Sequence, residues 1–544
     1  MLKWLSERRQ AASPNSDNAE PDQSIDSADK TLTDTENTVS DNVINAAGSQ
    51  MNKNDTPSSS PAAKAQQPQT MTAGAVPPSA APVAPPPGTA VAETFRGASI
   101  TPTFGSRHMV EPIAKNKLPD RGMAPKTAYQ LIHDELQTQG NPTLNMASFV
   151  TTVMDEECDR LITENLGVNY IDTEVYRANL EIQNRCVAIL NDLCGAPDPE
   201  KCWGIECIGS SEAVMLAILS HKRAWMEKRK AEGKSTDNPN IVMGNDVHLV
   251  WNKGAIYFEI EQRLIPLHPD RYTITAAEVM DKVDENTICV VGVLGTSYTF
   301  QYDPIEDINN ALVEYKNRTG LDIPLHVDGA SGAFIAPFLN PELKWDFGLQ
   351  QVKTINISGH KYGLVYPGIG WALWRDAADI PESLITKTNV LGFEEKSFSL
   401  NFSRGGAMIL AQYYNFIRLG RDGYTRIQHT MRENARYLAR GIADMGRFNM
   451  INDGTFTPSC CVSLKDESRY NAADLVGVLA QHGWIIPAFS LPPAADSVNA
   501  MRMNVKETFS RDMADKLIND IQRALEQLDA TYSKPYGTIG THHH

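Results

Sequence analysis

HVDGASGAFIAPFLNPELKWDFGLQQVKTINISGHKYGL, residues 326–364, takes in the end of one short apolar run and the whole of a second, each leading into a group that can do chemistry. The first, Ile323–Val327, leads into Asp328 and the small residues Gly329-Ala330-Ser331. The second, Thr354–Ile357, leads into Ser358-Gly359-His360-Lys361. Apolar runs of this length bounded by small residues read as buried strands, and α/β proteins gather ligands at the carboxyl ends of such strands. Lys361 would then be a primary amine able to form a Schiff base with an aldehyde, provided burial and nearby charge keep it partly unprotonated. Asp328 would be a carboxylate able to keep a pyridine nitrogen protonated, the condition under which pyridoxal phosphate works as an electron sink. Ala330 is small enough to lie against a ring face. Singly, each has a plainer explanation: a lone lysine is usually a solvated charge, and an aspartate after a strand usually caps or turns.

Upstream, Gly209-Ser210-Ser211-Glu212-Ala213 opens a helix expected over Gly209–Lys228, with Val214, Ile218 and Leu219 recurring at helical spacing. Free backbone N–H groups at a helix start, with two hydroxyls beside them, suit a phosphate. Alone, the two serines also read as an ordinary cap. Together the three segments converge on one cofactor: a phosphate cradle, a carboxylate for the ring nitrogen and a lysine for the aldehyde.

The rest of the chain supplies the frame. Helices are expected at Lys126–Thr138, Asp155–Asn165 and Glu174–Leu193, and further strands at Asn240–Met243, Ile288–Leu294 and Gly370–Trp374. Strands alternating with helices predict an α/β fold with a mostly parallel sheet covered on both faces. Beyond residue 430 comes a smaller α/β unit: helix Arg432–Met445, strand Cys460–Leu464, helix Ala473–His482, strand Met501–Val505 and a long helix Arg511–Ala530. Residues 1–105 are poor in large apolar groups, and Ala75–Gly88 is rich in proline, so this tail is expected to be disordered. A short amphipathic helix at 2–10 competes there with a frayed terminus. The division is therefore a tail (1–105), a helical segment (106–142), a large cofactor domain (143–430), a small domain (431–535) and a flexible end (536–544).

Bulk properties exclude several functions. The 544 residues carry a net charge of −16, which disfavours unspecific binding to nucleic acid or anionic membrane. No uncharged apolar run approaches the length of a membrane span, and the start lacks a secretory cleavage pattern. The eight cysteines form no C-x-x-C pair and no Cys/His cluster, so no metal site is expected and a reducing, cytoplasmic compartment is.

The 326–364 stretch, with IGSSEAVM (208–215), NFSR (401–404), AQYYNFIRLGRDGYT (411–425), WIIPAF (484–489) and AMRMNV (500–505), resembles the bacterial and plant glutamate decarboxylases within the group II pyridoxal-phosphate decarboxylases. The likeness runs from about residue 106 to 535. It implies the aspartate-aminotransferase-type fold (fold type I), with a seven-stranded large-domain sheet, and decarboxylation of a small acidic amino acid. Lys361 would hold pyridoxal 5'-phosphate, Asp328 would pair with its ring nitrogen, and Ser210, Ser211, Ser358 and His360 would hold its phosphate. Ser297 would touch the cofactor. Phe402 and Ser403 would reach the phosphate site of a partner subunit, making a homodimer the smallest working assembly. Arg502 would grip the substrate's α-carboxylate, with Ser148 and Phe149 reading the distal one and Asp172 nearby.

The sequence departs from that pattern in places. His248, in VHLVWNK, stands where the bacterial enzymes have a glutamine over the cofactor ring, and Asn252 replaces the next family histidine. Val390-Leu391-Gly392 lacks a tyrosine that could donate a proton. Phe300 replaces a glycine, and Ser148 a threonine, so aspartate, giving β-alanine, is an alternative substrate to glutamate. An aminotransferase or lyase on the same cofactor, or a non-catalytic cofactor-binding scaffold, are the other readings. His542-His543-His544 is either a residual affinity tag or a native terminal histidine of the kind that reacts with the cofactor.

Overall fold

The computed structural model describes residues 103–198, 200–389 and 395–532. The tail before residue 103, the helix considered at 2–10, the Val390-Leu391-Gly392 stretch and the terminal histidines lie outside them. The chain forms two compact units, Met1–Gln137 and Thr138–His544. In the first, 3₁₀ turns at Thr103–Gly105 and Arg107–Met109 precede helix α1 (Pro125–Leu136). Pro125 sits in its first turn, where a missing N–H costs nothing.

The second unit holds both sheets. In chain order it begins with α2 (Glu156–Glu164), α3 (Arg177–Leu193), β1 (Trp203–Cys207), α4 (Ser210–Ala231), β2 (Asn240–Gly244), α5 (Leu249–Tyr257) and β3 (Glu261–Ile265). Next come α6 (Ala276–Met280), β4 (Thr287–Val293), α7 (Ile305–Thr319), β5 (Leu325–Asp328), α8 (Ala336–Leu339), β6 (Val352–Ser358) and β7 (Gly370–Trp374). These strands form a seven-stranded sheet in the order β1-β7-β6-β5-β4-β2-β3, in which β7 alone runs antiparallel to its neighbours. Its central strands β4 and β5 are buried along their whole length, and β6 everywhere but at Lys353: β4, Thr-Ile-Cys-Val-Val-Gly-Val, exposes nothing. A sheet covered on both faces calls for such unbroken runs of β-branched residues, which is why the alternation of a half-exposed strand is missing.

A short ribbon, β8 (Thr386–Thr388) with β9 (Glu395–Ser397), leads to α9 (Ala407–Asp444). A four-stranded antiparallel sheet follows, β10-β11-β13-β12, made of β10 (Phe448–Asp453), β11 (Ser459–Leu464), β12 (Ala488–Ser490) and β13 (Asn499–Asn504). Helix α9 packs on β10 and β11, α10 (Ala472–Ala480) packs on β12 and β13, and α11 (Arg511–Tyr532) packs on α9 and α10. The helix expected at Arg432–Met445 is only the second part of α9. Gly420, at φ 59 and ψ −175, breaks α9 into two segments, and only glycine takes that conformation readily. The boundary expected near residue 430 thus falls inside a helix, downstream of its kink.

Candidate active site

Strands β5 and β6 build the floor. Their register sets His326 opposite Thr354 and Asp328 opposite Asn356. Asp328 is 5% exposed and accepts three hydrogen bonds: Trp251 Nε1 at 2.8 Å on Oδ2, and Asn356 Nδ2 at 2.9 Å and the Ala330 N–H at 3.1 Å on Oδ1. Burial by itself would raise its pKa. The bonds from Trp251 and Asn356, with the charge of Lys361, outweigh burial and hold the carboxyl below its ordinary range.

Lys361 follows β6 in a turn, and its Nζ lies 3.3 Å from Ser331 Oγ. Burial, with the positive charge of Arg502 assisting and Asp328 opposing, pushes its ammonium down to about 8. At pH 7 roughly a tenth of the amine is then neutral, far more than for an ordinary lysine, and the neutral amine is what Schiff-base chemistry needs. The turn is clamped from two sides. Thr151 donates its N–H to the His360 carbonyl (3.1 Å) and its hydroxyl to the Lys361 carbonyl (2.8 Å). From α9, Gln428 donates to the Tyr362 carbonyl (3.2 Å), Tyr424 to that of Gly363 (2.9 Å) and Asn415 to that of Leu364.

The amino end of α4 closes the other side of a cavity of about 130 Å³, lined by Ser210, Ser211, His248, Ser297, Ala330, Asp328, His360 and Lys361 among others. A Cβ on Gly370 would meet the Gly209 carbonyl carbon at 2.4 Å and the Ser210 nitrogen at 2.6 Å. Glycine there lets β7 press against the helix start. Ser358 donates its hydroxyl to Ser210 Oγ at 2.8 Å. His360 is held neutral, its pKa pushed down to about 4 by burial first and Lys361 second. Its Nδ1 is buried with no partner. An orphan ring nitrogen beside a helix amino end and three serine hydroxyls is a donor set matched to a phosphate group. The residues present therefore fit pyridoxal phosphate: the start of α4, the serines and His360 would hold its phosphate, Asp328 would pair with its ring nitrogen and Lys361 would take its aldehyde. His248 faces the same cavity and caps α5, its Nδ1 accepting the Val250 N–H at 3.2 Å.

The remaining predicted residues separate into two groups. Arg502, on β13, is 8% exposed, donates through Nη2 to the Ala147 carbonyl (3.3 Å) and leaves Nε unpartnered. The Phe149 ring joins it to Lys361, with its centroid 4.5 Å from the guanidinium carbon and 5.2 Å from Nζ. Ser148 accepts the Val150 N–H at 3.1 Å, and Phe300 packs on Phe149 at 5.0 Å. Phe300 takes φ 61, so the left-handed conformation natural to glycine persists although the residue is bulky. Asp172, expected near Ser148 and Phe149, does not line the cavity. It lies in the turn before α3, its carboxylate accepting the Val175 N–H at 3.2 Å. That turn meets the segment carrying Phe402 and Ser403: Asn169 Nδ2 lies 3.4 Å from Ser403 Oγ, and the Tyr170 N–H donates to the Arg404 carbonyl at 2.7 Å. Phe402 is 48% exposed and lines no part of the chain's own cavity. The buried Glu206–Arg404 ion pair ties this segment to β1.

Sequence reasoning passed over Trp251, Asn356, Ser331, Thr151 and the α9 side chains that donate to carbonyls of the lysine turn. One signal was available. Thr354, Asn356 and Ser358 are polar residues at alternate positions of a buried strand, hence on one face, and His326 and Asp328 do the same on β5.

Residues 119–465 match the family model described as the pyridoxal-dependent decarboxylase conserved domain. The glutamate decarboxylase of Petunia hybrida is 45% identical over 433 residues, covering 79% of this chain and 87% of that protein. That of Aliivibrio fischeri is 43% identical, covering 78% and 92%. The solved structure of a Lactobacillus brevis glutamate decarboxylase superposes with a TM-score of 0.76 at 40% identity, covering 79% of this chain and 98% of that one. Its cofactor is accordingly pyridoxal 5'-phosphate, its fold is type I, and the chain belongs to the pyridoxal-dependent decarboxylase family, in the group II branch that contains the glutamate decarboxylases.

Proposed function

We propose that the protein removes the α-carboxylate of L-glutamate as carbon dioxide and leaves 4-aminobutyrate, using pyridoxal phosphate carried on Lys361. The observation that carries the binding of an amino acid's α-carboxylate is Arg502: a buried guanidinium with an unpartnered Nε, no carboxylate ion pair among the described residues, and one aromatic ring between it and Lys361. A charge kept out of water without a counterion is a standing demand for an anion, and the guanidinium fork suits a carboxylate. The named relatives decarboxylate glutamate, which supports that acid over aspartate.

Bound pyridoxal phosphate supplies an electron sink for the bond that breaks. Everything else falls to the chain. Asp328, kept ionised by its three donors, holds a proton on the ring nitrogen. Ser210, Ser211, Ser358 and His360 grip the phosphate, while His248 and Ala330 bound the ring and Ser297 touches it. Arg502 would fix the α-carboxylate and so orient the bond that breaks, and orientation of this kind contributes strongly to rate. Ser148 and Phe149 border the place of the distal carboxylate. Each turnover takes up one proton.

Phe402 and Ser403 are exposed, and they and the half-buried Asp172 lie away from the chain's own cavity, which supports a homodimer in which each copy completes the other's site. The division into a cofactor domain (143–430) and a small domain (431–535) is part of the same proposal. So is a cytoplasmic location, supported by eight free thiols of which all but Cys202 are buried. Among the described residues no helix is long and apolar enough to cross a membrane.

The test is direct. Purified holoenzyme is incubated separately with glutamate and aspartate while carbon dioxide and amine are followed. Glutamate should turn over faster; faster turnover of aspartate would overturn the substrate while leaving the cofactor site in place.

A further inference from the structure

Two buried histidines have no part in that scheme. His326, on β5, is wholly enclosed. His221, on α4, lines a separate hollow of about 250 Å³ together with Lys353 and Asp379. A continuous row of short contacts joins both to Asp328. His221 Nε2 lies 2.7 Å from Thr354 Oγ1, and the same hydroxyl lies 2.6 Å from His326 Nδ1. His326 Nε2 lies 2.7 Å from Asn356 Oδ1, and Asn356 Nδ2 lies 2.9 Å from Asp328 Oδ1.

Counting donors fixes every proton in the row. An ionised carboxylate only accepts, so Asn356 turns its NH₂ to Asp328 and its carbonyl to His326. His326 Nε2 must therefore carry a proton. Burial holds His326 neutral, its pKa pushed down to about 4, so Nδ1 is bare and accepts the Thr354 hydroxyl. That hydroxyl has no second proton, which leaves His221 to donate to it through Nε2. His221 is neutral for the same reason, its pKa down to about 3 through burial first and His326 second. Each donor thus points toward Asp328. The groups facing His326 allow no rival arrangement: Trp251 offers its ring edge at 4.8 Å and spends its N–H on Asp328 Oδ2, and the His221 ring stands edge-on at 6.3 Å.

We propose that His221, Thr354, His326 and Asn356 are positioning residues for the reaction, a one-directional row of donors that keeps Asp328 ionised and aimed at the cofactor's ring nitrogen. This rests on the reading that Asp328 pairs with that nitrogen. Burying two imidazoles, a hydroxyl and an amide inside a sheet costs desolvation that apolar residues would avoid. Hydrogen bonds aligned in one sense polarise each other, so the benefit accumulates at the end of the row, on the carboxylate.

Two experiments on the holoenzyme test it. In protein labelled with ¹⁵N-histidine, His326 and His221 should both appear as neutral rings protonated at Nε2; a proton on His326 Nδ1 overturns the row. This reading needs no variant. Thr354→Val keeps the shape and removes the central hydroxyl, whereas Thr354→Ser keeps the hydroxyl. The valine variant should bind pyridoxal phosphate roughly tenfold more weakly and lose roughly tenfold in kcat with KM for glutamate unchanged. The serine variant should stay within about twofold on both measures. Cofactor affinity and kcat at wild-type values in Thr354→Val, or equal losses in both variants, overturn the proposal. Asp328→Asn separates the two levels of the argument. If it abolishes activity while Thr354→Val matches wild type, the row alone fails. If Asp328→Asn itself leaves cofactor affinity and kcat unchanged, both readings fall.

Discussion

Asp328 and Arg502 are both buried, both act electrostatically on Lys361, and are satisfied in opposite ways. The carboxylate takes three donors, and behind one of them runs a chain of further donors. The guanidinium has one backbone carbonyl, two aromatic faces and a bare Nε. A charge that the fold has fully provided for is prepared to act on something else without moving. A charge left short of partners is waiting for a ligand to complete it. The contrast separates the end of the site that tunes the cofactor from the end that selects the substrate.

The largest effect belongs to the amine between them. Lys361→Ala should lose activity by a factor on the order of 10⁴ or more and lose the covalent attachment of the cofactor. Its thermal unfolding should barely change, because among the described residues Nζ makes a single long hydrogen bond, to Ser331, and otherwise only faces the Phe149 ring. Turnover measurements and the visible absorbance of the loaded protein check this. Retained activity would mean the two charges flank the wrong residue.

The next pair of variants aims at the contrast itself. Arg502→Met should lower kcat/KM for glutamate by about 10²-fold while leaving the stability of the cofactor-free protein unchanged or slightly improved, since the fold gains little from the guanidinium. Asp328→Ala should destabilise the cofactor-free protein by about 1–3 kcal/mol, because Trp251 and Asn356 would be left as buried donors without an acceptor. Denaturant titrations of the two should diverge. Equal losses would show that Arg502 is as much a part of the scaffold as Asp328.

This division was only partly legible in the sequence. Lys361, Asp328 and the serines of α4 announced themselves through residue type next to small neighbours, and the β5 and β6 runs were plain, whereas Arg502, between Met501 and Met503, came only through the family resemblance. Strand β3, Glu261–Ile265, was not, because its half-exposed pattern, with only Ile265 buried, resembles a loop. Strand β1 escaped for another reason: Trp-Gly-Ile-Glu-Cys carries a glutamate, buried only because Arg404, about two hundred residues later, neutralises it. Helix α7 was missed although its periodicity is ordinary, while the first part of α9 hid behind the aromatic cluster from Tyr413 to Phe416. Asp172 was placed by likeness to a family pocket, and no local signal could reveal that its turn packs against residues near 403. The hydrogen-bonded row was visible only as a period of two in polar residues, which gains meaning once β5 and β6 are known to be neighbours.

A gentler test uses the lysine as a reporter of both charges. Cofactor capture by the cofactor-free protein requires the neutral amine, so its rate should rise about tenfold per pH unit at low pH and level off near pH 8. Burial is the main cause of the lowered value, and Arg502 adds to it by repelling the ammonium. Arg502→Met should therefore move the midpoint upward. Removing the negative charge with Asp328→Asn should move it downward. Stopped-flow absorbance across pH measures both, and shifts of the same sign would contradict opposed influences on Lys361.

The smallest expected effect lies on the clamp behind the lysine. Tyr424 is buried, its ring packed on Phe334 and Phe338, and its hydroxyl donates to the Gly363 carbonyl at 2.9 Å. Tyr424→Phe keeps the packing and deletes that bond together with the long one the hydroxyl accepts from Gln412 at 3.4 Å, at a cost of about 1 kcal/mol in stability. Gln412 also reaches that carbonyl, at 3.3 Å, so the acceptor is not abandoned and the loss should fall at the low end of the range. Any change in kcat should stay within about threefold, since the bonds from Thr151, Gln428 and Asn415 still hold the turn. The double variant Tyr424→Phe/Gln412→Leu leaves the Gly363 carbonyl with only the long Asn415 contact at 3.5 Å, and should lose more than the sum of the two single changes. Simple additivity would mean that the turn carrying Lys361 is held by its own backbone and Thr151, and that α9 merely covers it.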